Sequence, residues 1–184
     1  MTAALKEWAI AVEALTHGKT ILLLRKGGIR EDQGRFTVAH RQVWLYPTYE
    51  HQQPQLLKSP YDQQVQPVPS GWHSEKVVLQ AWAEITHVLP IQSETAVNAL
   101  LPFHIWNDRW VSDRLRWKPQ QPLYGLLLRV YRLETPVTIP YHSEYGGCKS
   151  WIELAIGFSD VKAQPVLTDD SYQHEVSQIQ QIVA

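Results

Sequence analysis

Two adjacent glycines flanked by cations form the segment of this 184-residue chain that is most suggestive of chemistry. An apolar run is followed at once by Arg25, Lys26, Gly27 and Gly28, with Arg30 two positions later. Glycines allow positive φ angles and close approach of a ligand to the backbone, while Arg and Lys supply charge. The segment therefore predicts a phosphate-binding turn. The alternative is an ordinary β-turn with solvated charges, because the Lys-Ser or Lys-Thr step of a nucleotide-hydrolysing loop is missing.

Aromatic and basic residues alternate between positions 103 and 118, where a helix is expected. Aromatic rings can stack on bases while neighbouring cations follow phosphates, so Trp106 and Trp110 are candidates for stacking. Arg129 and Arg132, on the longest predicted strand, would extend the basic patch if they point the same way. An aromatic stripe at helical spacing is more often typical of a helix packed against a sheet, and that interpretation is favoured for the two tryptophans.

The positive charge of the chain is local, because the net charge is only −1. Cations are concentrated in residues 19–41 and again in residues 109–132. A nearly neutral chain exerts no overall attraction on nucleic acid or on an anionic membrane. Binding of a polyanion therefore requires these clusters to form a local surface, and the sequence does not reveal whether they share one.

An acidic residue and a histidine follow a predicted strand at Glu50 and His51. Carboxylate and imidazole groups can bind several transition metals or transfer protons, and loops after strands often carry functional sites. The spacing matches no established metal motif, so no metal and no cofactor is predicted. Glu50 and His51 nevertheless remain the candidate catalytic residues of an alternative function, a metal-dependent phosphodiesterase or nuclease, and the sequence does not decide whether the protein is an enzyme.

The hydrophobic periodicity predicts an α+β fold with an antiparallel or mixed sheet. Helices are expected over residues 3–16, near 93–117 and after residue 171. The strands expected between them cover residues 20–25, 35–40, 43–46, 77–89, 123–133 and 151–158. Helices do not alternate regularly with these strands, which argues against a doubly wound parallel sheet. The sheet is expected to be either open or curled into a small barrel.

One domain is predicted over residues 1–160, followed by a polar C-terminal tail over 161–184 with an amphipathic helix. This helix would pack on the domain or dock on a protein partner, including a second copy of the chain. The single cysteine precludes an internal disulfide, and no stretch approaches the roughly 18 apolar residues of a membrane span. With no secretory signal, these features predict a cytoplasmic protein without membrane contact.

Several sequence blocks resemble a bacterial domain-of-unknown-function family, the one numbered 1802, which is best populated in cyanobacteria. The similarity covers residues 5–157 and implies no activity. The blocks are 5–9, 24–29, 47–52, 82–85, 103–107 and 126–133. A fainter resemblance links Gly18, Lys19, Thr20 and Arg25 to the opening of PUA-like domains of the ASCH type. That resemblance implies a small β-barrel of a kind that often holds RNA or modified bases, although Leu23 stands where an acidic residue is expected.

The leading hypothesis is a small module that binds a phosphate-bearing ligand, with RNA or single-stranded DNA as the partner. Its phosphate-binding residues would be Arg25, Lys26, Gly27, Gly28 and Arg30. The alternatives are the phosphodiesterase described above and a protein-interaction scaffold that uses the C-terminal helix.

Overall fold

The computed structural model describes residues 1–26, 30–32, 35–117, 122–147 and 149–184, with only backbone pairing for residues 30–32 and 35–37. Among these residues, no helix combines the length and the apolarity needed to cross a bilayer. The strands are β1 (Thr2–Trp8), β2 (Leu22–Arg25), β3 (Arg30–Asp32), β4 (Arg35–Thr37), β5 (Gln42–Thr48), β6 (Lys76–Ile91), β7 (Leu123–Pro140), β8 (Trp151–Leu154) and β9 (Ala163–Pro165). The helices are α1 (Ala9–Thr16), α2 (Glu94–Ala99), α3 (Asp108–Arg116) and α4 (Asp169–Val183).

Seven strands form one mixed sheet in the order β2-β7-β6-β5-β1-β8, with β9 paired to β7. Only the pairing of β1 with β5 is parallel among the strand pairs described in this sheet. No pairing in the described ranges joins β2 to β8, so the sheet is open and does not close into a barrel. The predicted α+β class with a mixed sheet is confirmed. Strands β3 and β4 form a separate two-stranded ribbon.

The long strands β6 and β7 form the centre of the sheet. Along β6, buried and more exposed residues alternate, as expected for a strand with one face on a core. The first eight residues of β7 are all buried, which is typical of a strand covered on both faces. Register shifts between Leu79 and Ala81 and between Ile85 and His87 interrupt the β6–β7 ladder and bend it.

The helix predicted over residues 3–16 is wrong in its first half. Residues Thr2–Trp8 form β1, and helix α1 begins only at Ala9. The apolar spacing of this segment fits a helix, but β1 pairs with both β5 and β8 and buries Ala4 and Leu5 completely. Pairing on both sides outweighs the local helical preference. As a result, the C-terminal end of β1 carries Lys6 and Glu7 to one end of the sheet.

Capping residues fix the start of helices α2 and α3, in the helical region predicted near 93–117. The side chain of Ser93 accepts a hydrogen bond from the backbone N–H of Ala96 at 3.0 Å. Asn107 does the same for the N–H of Trp110 at 3.1 Å. Such caps satisfy backbone donors that lack partners within the helix. Helix α3 therefore starts at Asp108, and it buries Trp110 and Val111 in the main core.

The C-terminal segment packs onto the sheet. Strand β9 pairs with β7, and helix α4 buries Tyr172, Val176 and Ile179 in the main core. These residues lie three or four positions apart, so they share one face of the helix. The C-terminal helix predicted from this spacing is confirmed. Residues 163–165 and 172–179 thus contribute to the same sheet and core as the preceding chain. The predicted domain boundary at residue 160 stays a prediction.

Candidate anion-binding site

A cavity of about 430 Å³ lies between the C-terminal ends of β1 and β2 and helix α3. Cationic side chains reach this cavity from four places: strand β1, the end of β2 with the residue after it, helix α3 and the segment before β8. These cations are Lys6, Arg25, Lys26, Arg114 and Lys149. The carboxylates that line the same cavity are those of Glu7 and Glu50. At this cavity, five cationic side chains therefore outnumber two carboxylates, although the net charge of the whole chain is −1.

Arg25, predicted as a phosphate ligand, forms an ion pair within the wall of the cavity. Its guanidinium lies 3.1 Å from the carboxylate of Glu7, and both side chains are largely buried. It also approaches the backbone carbonyl of Lys6 at 3.4 Å. These contacts tie the end of β2 to the end of β1. Because Glu7 offsets its charge, Arg25 contributes less to the attraction of an anion than its position alone suggests.

Lys26, also predicted as a phosphate ligand, connects β2 to helix α3. Its ammonium donates hydrogen bonds to the backbone carbonyls of Leu115, at 3.2 Å, and Trp117. These carbonyls lie at the C-terminal end of the helix, where a cation is favourable. Burial and the nearby Arg114 lower the pKa of Lys26, so two cations face each other here.

Arg114 was not among the predicted binding residues. Its guanidinium lies 5.0 Å from the ring centre of Trp110 and 5.6 Å from that of Trp117, which places it in cation–π contact with both indoles. Burial and the charge of Arg25 lower its pKa, while Glu7 acts in the opposite direction. The sequence signal was available, because Trp110, Arg114 and Trp117 follow one another at spacings of four and three residues.

The two tryptophans predicted to stack on bases are buried. Trp106 is 1% exposed and Trp110 is 4% exposed, and their rings stack on each other at 4.7 Å. Trp110 lies on α3, whereas Trp106 precedes this helix and is bridged to Leu57. Both rings belong to the main core and form part of the cavity wall. Trp117 also lines the cavity and is 45% exposed, so it offers a larger accessible ring.

Arg129 and Arg132 do not line this cavity. Arg129 is buried against α4, where it bonds the carboxylate of Asp169 at 2.6 Å and lies 4.9 Å from the ring centre of Tyr172. Its position on β7 directs it toward the helix, and it therefore stabilises the packing of α4. Arg132 is exposed on β7 at a position paired with Gln164 of β9. The predicted basic cluster 109–132 is thus split. Arg114 lines the cavity, whereas Arg129 and Arg132 lie elsewhere in the fold.

The predicted glycine turn lies outside the described residues. This applies to Gly27 and Gly28, and for Arg30 only the backbone position at the start of β3 is described. Their role in binding phosphate stays a prediction. The neighbouring Arg25 and Lys26 place the start of this segment at the cavity.

A family model described as a domain of unknown function, DUF1802, matches residues 4–178. The chain belongs to the DUF1802 family. No curated protein matches it. Among solved structures, it is similar to a serine-to-alanine mutant of the ASCH protein ZmASCH from Zymomonas mobilis, with 14% sequence identity. That similarity covers 73% of this chain and 72% of the other chain, with a TM-score of 0.42.

In this DUF1802 chain, the predicted catalytic pair Glu50 and His51 lies at a turn after β5. His51 has a φ of 66°, a left-handed conformation that a histidine adopts more readily than most residues. Glu50 accepts hydrogen bonds from the N–H of Gly71 at 2.6 Å and from the hydroxyl of Ser70 at 3.1 Å. The N–H of Gly71 is the main cause that lowers the pKa of Glu50. The carboxylate therefore fastens the loop at residues 70–71 to the turn.

The metal-dependent alternative receives little support from the described part of the chain. The Nε2 atom of His51 lies 3.3 Å from a carboxylate oxygen of Glu50. Within the described ranges, however, no three residues among His, Cys, Asp and Glu are grouped so that they could hold a metal ion. A catalytic role for Glu50 and His51 stays a prediction.

A buried histidine beside Trp106 predicts that the stability of the fold falls at acidic pH. His104 is 3% exposed, and burial followed by the charge of Lys58 lowers its pKa to about 3. Between the ordinary pKa of 6.5 and about 3, only the unfolded chain binds this proton, so the free energy of unfolding falls as the pH falls. The expected loss from this group approaches about 1.4 kcal/mol for each pH unit below its ordinary pKa.

Urea denaturation at pH 7 and pH 5 tests this expectation. The His104→Gln variant is expected to lose about 2 kcal/mol less than the unsubstituted chain between these two pH values. The exposed Gln178 provides the control, and Gln178→Ala should leave the pH dependence unchanged because it removes no titratable group. Equal pH dependence in the His104→Gln variant and the unsubstituted chain would contradict the assignment.

Proposed function

We propose that this DUF1802 chain binds single-stranded RNA or DNA through its phosphate groups. The phosphates would be held in the cavity of about 430 Å³ between β1, β2 and α3, which we call the cationic cavity. The observation that supports the proposal is the convergence of Lys6, Lys26, Arg114 and Lys149 on one cavity. Bringing like charges together into a partly desolvated site is unfavourable, and the lowered pKa values of Lys26 and Arg114 reflect this cost. A bound phosphate would offset the repulsion.

The size and the lining of the cavity suit one unit of a nucleic-acid strand. Its volume of about 430 Å³ falls in the range of ordinary small-ligand pockets, about 300–1,000 Å³. Trp117 supplies a half-exposed ring beside Arg114, which allows stacking next to a charged contact. Because this ring and these cations lie at one open site, an unpaired strand fits better than a duplex, whose bases are already stacked.

Charge-matched double variants test the proposal. The Lys26→Ala/Lys149→Ala variant removes two cations from the cavity, while Lys19→Ala/Lys162→Ala removes two exposed lysines that do not line it. We expect the first variant to bind mixed-sequence RNA and DNA 12-mers at least tenfold more weakly. The slope of log affinity against log salt should shrink by about 1.4, or about 0.7 for each lost phosphate contact.

Fluorescence anisotropy at several salt concentrations measures both quantities. The control variant should retain the affinity and the salt slope of the unsubstituted chain. Equal losses in the two double variants would show that only net charge matters, and that result would contradict a specific site.

A further inference from the structure

A second cavity, of about 460 Å³, adjoins the cationic cavity. The two cavities share Lys6, Thr48, Glu50 and Gly147 as lining residues, so they meet at the C-terminal ends of β1 and β5. Its cationic side chains are those of Lys6 and Lys76, fewer than in its neighbour, and six of its lining residues carry aromatic rings. We refer to it as the aromatic cavity, and its rings are those of Tyr46, Tyr49, Trp72, His73, Tyr141 and Tyr145.

Large apolar side chains that remain exposed are concentrated at this cavity. Tyr49 is 45% exposed, Trp72 is 42% exposed and Val78 is 43% exposed, and all three line it. The rings of Tyr49 and Trp72 meet edge to face at 5.6 Å with an interplanar angle of 80°. Rings grouped in an open cavity gain more from a bound partner than from water, and such sites are typical of ligand binding.

The opposite wall consists of rings that hold one another in place. His73 stacks on Tyr141 with ring centres 3.7 Å apart and an interplanar angle of 9°. Tyr145 packs edge to face against Tyr141 at 6.4 Å and against Tyr46 at 5.9 Å. The contacts among these rings therefore hold the wall in place, and it can receive a flat ring with little rearrangement.

Two charged groups at the junction define which kind of ring fits. The pKa of Glu50 is lowered, so its carboxylate is ionised and can only accept hydrogen bonds. It therefore favours a ring that carries N–H donors. Lys6 donates to the carbonyls of Tyr145 and Gly147 at the same junction, and its positive charge disfavours an organic cation in the cavity.

We infer that the aromatic cavity holds one base of the strand whose phosphate occupies the cationic cavity. The inference rests on the proposed function and specifies the ligand further. The aromatic faces stack on the base, and the carboxylate of Glu50 favours a base with N–H donors on its edge. The shared lining residues allow one nucleotide to reach both cavities. Stacking accepts any base, and every base carries at least one N–H donor that Glu50 can accept, so the site is expected to accept all bases.

A pair of probes with the same charge separates base binding from phosphate binding. We use a mixed-sequence RNA 12-mer and an abasic 12-mer, which has the same phosphates and no bases. The unsubstituted chain should bind the RNA at least tenfold more tightly than the abasic strand. The Tyr49→Ala/Trp72→Ala variant should lose most of that difference and should keep its affinity for the abasic strand and its salt slope.

The cationic variant Lys26→Ala/Lys149→Ala is the matched control, because it should weaken binding of both probes by the same factor. Circular dichroism and a melting curve check the fold of each variant. If the double aromatic variant does not fold, Trp72→Ala alone provides the test, since this side chain is half exposed.

Each outcome supports or overturns the inference. Equal affinity of the unsubstituted chain for the two probes would overturn the base site and leave the phosphate site intact. A full preference for RNA retained in the aromatic variant would do the same. If neither probe binds, both the proposed function and this inference fail.

Discussion

Reversing the charge of Arg114 is expected to weaken binding of the RNA 12-mer by at least 100-fold, or about 2.7 kcal/mol. Arg114 lies between Trp110 and Trp117 at the cationic cavity, and its cationic neighbours include Lys26. The Arg114→Glu variant replaces a cation by an anion at the point where the phosphate is proposed to bind. Repulsion is then added to the lost attraction, so the effect should exceed that of a neutral substitution.

The control for this variant lies on the same helix. Arg109 is exposed and does not line the cavity, so Arg109→Glu makes the same change in net charge at a neighbouring place. It should alter affinity by only a few-fold. Fluorescence anisotropy with variants of verified fold measures both effects. Similar losses for Arg109→Glu and Arg114→Glu would contradict the proposed site.

Deleting residues 169–184 is expected to unfold the protein. Helix α4 buries Tyr172, Val176 and Ile179, and a large apolar side chain that is fully buried contributes about 1.5–3 kcal/mol. The deletion also removes the carboxylate that pairs with the buried Arg129, because Asp169 belongs to α4. Together these losses are comparable to the entire stability of an ordinary domain, about 5–15 kcal/mol.

Circular dichroism and thermal melting of the shortened chain measure this effect. Two substitutions on the helix give a finer test, since Val176→Asp should destabilise the fold strongly and Gln178→Asp, at an exposed position, should not. A shortened chain that melts cooperatively near the original temperature would contradict the assignment. It would instead favour the hypothesis that α4 is a docking element for a protein partner.

Prediction from the sequence succeeded where the hydrophobic periodicity of a segment matches the secondary structure that the segment adopts in the fold. The strand predicted over residues 123–133 lies within β7, and the helical region predicted to start near residue 93 begins with α2, which Ser93 caps. Residues 2–8 were predicted as part of a helix because Leu5 and Trp8 fit a helical spacing. Their strand partners in β5 and β8 are distant in sequence. Local periodicity carries no information about such partners, so β1 was assigned to a helix.

The candidate site was predictable in part for the same reason. Arg25 and Lys26 stood out as neighbours in sequence, and both line the cavity. Lys6 and Lys149 come from segments on either side of the β1–β8 pairing, so only the fold shows that they converge. Arg129 illustrates the opposite case, because it is buried against α4 and paired with Asp169, and neither fact can be deduced from a run of cations.

The most direct test of the cationic site is a crystal structure of the full chain with a short single-stranded RNA. We expect a phosphate within about 3 Å of the side-chain nitrogens of Arg114 and of Lys26 or Lys149. An RNA bound elsewhere, for example along the exposed side of β7 near Arg132, with no phosphate at the cavity, would contradict it.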